Sequence, residues 1–111
     1  MADKEQMIKQ ILTTVREDTS LWPKEYSKNE SENYLGIVEE LVSPETNSRG
    51  VPITEGDYNK AKEWAQRVMD IYIQKNPFQG AFVRPFAVNM FETLDKIWLK
   101  RSSQNKNGSW L

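Results

Sequence analysis

Apolar residues recur at helical spacing through almost the whole chain, and that period limits its possible folds more than any other feature. From Thr54 to Gln74, Ala61, Trp64, Ala65, Val68, Met69, Ile71 and Tyr72 share one helical face, while Lys60, Glu63, Arg67, Asp70 and Gln74 share the other. Thr54 with Asp57 at N3 marks the start of this helix, and Ile53 and Tyr58 occupy the two positions of a hydrophobic staple. The same period places Met7, Ile8, Ile11, Leu12 and Val15 on a first buried stripe. It places Tyr34, Leu35, Ile37, Val38, Leu41 and Val42 on a second. No stretch alternates apolar and polar residues as a half-buried strand would.

Local chemistry divides the helical runs. Asp3 with Gln6, and Ser27 with Glu30, can cap the free amides of the first and second helices. Trp22-Pro23 and Ser43-Pro44 stop helices, because a residue before proline is pushed out of the α region. Leu21, Trp22 and Tyr26 are expected to fold over one end of the core. Gly36 lies inside the second helix, where a glycine usually permits close helix packing. Residues 43–53, SPETNSRGVPI, form the longest expected loop. Asn76-Pro77 fits a helix end followed by a first-turn proline. Phe78 to Val83 is then expected to form a short helical turn before Arg84-Pro85 resets the direction.

From Pro85 onward, Phe86, Ile97, Met90, Leu94, Ala87, Trp98 and Phe91 fill an apolar arc of roughly 140°. Val88 and Leu99 lie outside it, beside Asp95. The expected fold is all-α: a single-domain antiparallel four-helix bundle over residues 1–101, with a last helix interrupted by proline. Residues 102–111 are expected to form a short flexible tail, with Trp110 its one large aromatic.

The 111 residues include no Cys and no His. That removes thiol nucleophiles, disulfides, zinc sites built on Cys or His, imidazole bases and Ser-His-Asp triads together. The five glycines are scattered and match neither phosphate-loop pattern. Glu92 and Asp95 form an E-x-x-D pair similar to half of the magnesium motif of helical nucleotide pyrophosphohydrolases, but residues 54–76 lack the E-x-x-E those enzymes require. Lys96 one turn from Glu92 gives a simpler reading, a surface ion pair. The expectation is a protein that is not an enzyme and uses no metal or cofactor. No apolar run is long enough for a membrane span. The start, MADKEQMIKQ, lacks the pattern of a secretory signal, which favours the cytoplasm as an expectation.

Net charge is −1, unevenly spread. Residues 1–55 hold 6 Lys/Arg and 11 Asp/Glu, giving −5; residues 56–111 hold 9 and 5, giving +4. An acidic half packed beside a basic half explains this within one bundle. A basic surface for nucleic acid is the alternative, using Arg84, Lys96, Lys100, Arg101 and Lys106 near Trp98 and Trp110. The leading expectation is a protein-binding module, such as an accessory or regulatory subunit, that docks through an apolar helix surface with Arg84, Val88, Asp95 and Leu99 as contacts. A homodimer through the same face is one version of it.

The order VREDTSLWP (15–23), then GAFVRP (80–85), resembles the small four-helix assembly proteins of photosystem II. The basic Tyr-Arg-rich motif that ends the second helix in that family is replaced here by LVSPETNSRG. The likeness therefore implies architecture and transfers no site residue.

Overall fold

The computed structural model describes the backbone of residues 4–47 and 49–109, and the side chains of residues 6–47, 49–77, 84–85 and 87–101. Asp3 of the first expected cap, and Trp110, lie outside the described residues.

Four α-helices are present among the described residues: α1 (Lys4–Glu17), α2 (Lys28–Val42), α3 (Glu55–Lys75) and α4 (Pro77–Ser109), with a short 3-10 helix (Thr19–Leu21) after α1. The local signals account for most of these boundaries. Ser27 accepts from the Glu30 amide at 3.1 Å while Glu30 accepts from the Ser27 amide at 2.9 Å, so two orphan donors of α2 are satisfied reciprocally. Thr54 and Asp57 make the same box at the head of α3, with the staple residues Ile53 and Tyr58 both buried. Ser43 closes α2 and Asn76 closes α3.

Pairs of contacts fix the helix directions. Ser31 meets Trp64 and Glu25 meets Arg67, so the chain before and in α2 runs opposite to α3. Tyr58 stacks on Trp98, Lys62 pairs with Asp95, and Ile73 shares a groove with Arg84, so α4 returns antiparallel along α3. The first helix packs on α2 and α4.

The core joins all four helices: Ile8, Leu12 and Val15 of α1, Leu35, Ile37 and Val38 of α2, Trp64, Val68 and Met69 of α3, and Met90 and Leu94 of α4. Trp64 is 1% exposed, and its indole N–H donates to Ser31 Oγ at 2.9 Å, which explains a buried serine in an apolar layer. Trp22 closes one end, donating to the Val15 carbonyl at 2.8 Å, with Leu21 buried beside it. Tyr26 completes this cover, edge-on to Tyr34 at 5.8 Å.

One expectation about α4 is corrected. The helix starts at Pro77 and continues through Pro85 without a break, where the sequence implied a separate turn and a change of direction. Proline removes one intrahelical hydrogen bond and strains the preceding turn. The apolar residues packed on both α1 and α3 outweigh that local cost. The helix also extends beyond Arg101, where the apolar pattern stops, to Ser109. Adding a residue to an existing helix is far easier than nucleating one, so a helix can outrun the face it buries. At about 1.5 Å per residue, its 33 residues approach the 51 Å long dimension of the molecule.

Candidate docking face on the third and fourth helices

Antiparallel packing leaves an open groove of about 550 Å³ between the second half of α3 and the first half of α4. Met69, Ile73, Ala87, Val88 and Phe91 give it an apolar floor and wall, and Gln66, Asp70, Gln74 and Arg84 give it polar rims. Val88 is 55% exposed, whereas Met90 and Leu94 of the same helix point inward.

The expected contact residues divide into two sets. Arg84, Val88 and Leu99 are at the surface, Leu99 66% exposed, and Arg84 and Val88 line the groove together. Leu99 is on the same stripe of α4 but does not line the groove. Asp95 is committed internally. Its carboxylate accepts from the Tyr58 hydroxyl and from Lys62 Nζ at 2.9 Å. Burial pushes this carboxyl up, but the hydrogen bonds from Tyr58 and Lys62, with the Lys62 charge, outweigh it and hold Asp95 below its ordinary range. Burial, then the bond to Asp95 and its charge, push the Tyr58 phenol up. Tyr58 also lies nearly parallel to Trp98, with ring centroids 4.8 Å apart. This cluster fastens α4 to the start of α3. Among the described residues Asp95 pairs with Lys62, and Glu92 and Lys96 form no ion pair.

The expected cationic surface is also divided. Arg84, Lys96 and Lys100 are exposed, and the side chain of Lys106 lies outside the described set. Arg101 instead donates to Glu40 at 2.8 Å, where the carboxylate side chain is 4% exposed. The other oxygen of Glu40 accepts from the Arg49 backbone amide at 2.9 Å. Arg49 runs its side chain over Gly36, with Cδ 3.7 Å from where a β-carbon would sit, and reaches Asn33 at 2.8 Å. The gap left by Gly36 is filled by a loop arginine and not by a neighbouring helix.

Sequence reasoning missed the α3 half of the groove. Its signal was the run Ile71-Tyr72-Ile73, since three consecutive apolar residues span 200° and cannot all face one core. Among the described residues no group of three or more metal-ligating side chains comes together, and no helix is long and apolar enough to cross a membrane. The chain matches no protein-family model, no curated protein and no solved structure.

Proposed function

We propose that this protein is a non-catalytic interaction module that docks on another protein surface through the α3–α4 groove and the exposed stripe of α4. The observation that carries this reading is the pairing of an open, apolar-lined groove with a half-exposed Val88 on its wall. A helical residue of that size on a free surface gains nothing from its exposure. Covered by a partner, it adds on the order of 1 kcal/mol to association. Arg84 and the glutamines at the rim supply the polar border that such interfaces use for orientation.

Capture of partners by the tagged full chain, compared with Val88→Glu and Leu99→Glu, tests the assignment. Both sites are exposed, so the variants are expected to keep the wild-type melting curve and lose the bound partner. A partner retained by both variants would place the interface elsewhere. A nucleic-acid reading retains three exposed cations, Arg84, Lys96 and Lys100.

A further inference from the structure

The two rims of the groove carry opposite charges that the molecule leaves unused. Asp70 stands on the α3 rim and Arg84 on the α4 rim, both exposed. Neither has an ion-pair partner among the described residues, whereas Lys62 and Asp95, further along the same two helices, close to 2.9 Å. We infer that a second copy of this chain closes over the groove, related by a two-fold axis that runs along it in the plane of contact, so that Asp70 of each protomer meets Arg84 of the other. The inference rests on reading the groove as the docking face.

The symmetry follows from the placement. A two-fold axis exchanges points on opposite sides of itself, and the midpoint between an acidic rim and a basic rim lies in the groove. An axis there brings both unlike pairs together in one operation, because in an isologous contact each residue pairing occurs twice. It also covers Val88 from both protomers. An unrelated partner would need its own acid and base at the matching separation, whereas a second copy carries them by construction. With a net charge of −1, two copies meet almost no overall repulsion.

Light scattering and sedimentation of the full chain over a concentration series test this, using the wild type, Asp70→Arg, Arg84→Glu and an equimolar mixture of the two variants. The wild type is expected to pass from monomer to dimer as concentration rises. Each single change turns two attractive contacts into two repulsive ones and is expected to weaken the dimer on the order of tenfold or more. Mixing the variants restores unlike charges at both contacts and is expected to recover the dimer. A wild type that stays monomeric at every concentration overturns the inference, and so does a dimer that both single changes leave intact. Should a variant lose its helical circular dichroism, the wild type alone decides: dimerisation that weakens as salt rises supports the pairing, and salt-independent dimerisation overturns it. A monomer that still captures a different protein through Val88 ends the second-copy reading and leaves the docking face standing. A chain that neither dimerises nor captures anything ends both.

Discussion

At the scale of single residues, the cluster around Asp95 shows how a residue that looks available in sequence is already spoken for. Its two oxygens serve Tyr58 and Lys62, which lie 37 and 33 positions away. The pH consequences follow from the two shifts. Asp95 is held below its ordinary value of 3.8, so its contribution to stability is full above that value and is lost as pH falls through the lower folded-state value. Tyr58 is held above its ordinary value of 10.0, so its contribution is present below that value and is lost as pH rises beyond it. Asp95→Asn keeps an acceptor for the phenol and removes the charge. It is expected to cost about 0.5–1 kcal/mol at neutral pH, since both partners are partly exposed. It is also expected to flatten the acid and alkaline limbs of the stability profile, as read from thermal melts between about pH 3 and pH 11.

At the scale of the elements, α2 meets its following loop at Gly36, a glycine that is not required for its backbone conformation. Gly36 has no positive φ, and a β-carbon there would stand at ordinary van der Waals distance from Arg49. Gly36→Ala is therefore expected to stabilise the protein by about 0.5–1 kcal/mol through helix propensity, seen as a raised melting temperature. Gly36→Leu is expected to displace Arg49 and lower it. The same region shows what a sequence conveys about elements. Both interior capping boxes and the staple were legible because their partners lie within five residues of one another, where spacing alone sets geometry. The buried faces of the helices were legible because the 3.6-residue period records them directly. The passage of α4 through Pro85 was not, because local chemistry speaks for a break while packing on distant helices decides against it. The groove was half legible: Val88 stood out from its helix, but its α3 wall depended on which helix lay beside it.

At the scale of the whole molecule, the uneven charge distribution is compensated in part by pairs that join the halves. Glu25 with Arg67 and Glu40 with Arg101 each bring an acid from the first half to a base from the second. The former is half exposed on both sides and contributes little. The latter is different, since Glu40 is buried and also holds the Arg49 amide, tying α2, the loop and α4 at one carboxylate. Glu40→Gln preserves the shape and removes the charge that the Arg101 guanidinium and the Arg49 backbone amide face. It is expected to cost about 2–3 kcal/mol by denaturant melting, and to speed amide exchange at Arg49 and along α4 near Arg101 together. A loss confined to the loop would show that the two contacts are independent. None of this was legible in the sequence, because Glu40 and Arg101 are 61 positions apart and no period links them.

The single residue between α3 and α4 also sets an order of events. Asn76 alone separates two helices that then run side by side, so their contacts can close outward from the turn with almost no intervening chain to immobilise. Docking α2 on α3 requires the longer segment 43–54 to close, a segment that the Arg49 amide ties to Glu40. During folding the α3–α4 hairpin should therefore assemble ahead of the rest. The groove along its outer side would then be among the first surfaces this chain presents, before α1 and α2 have settled on the opposite face.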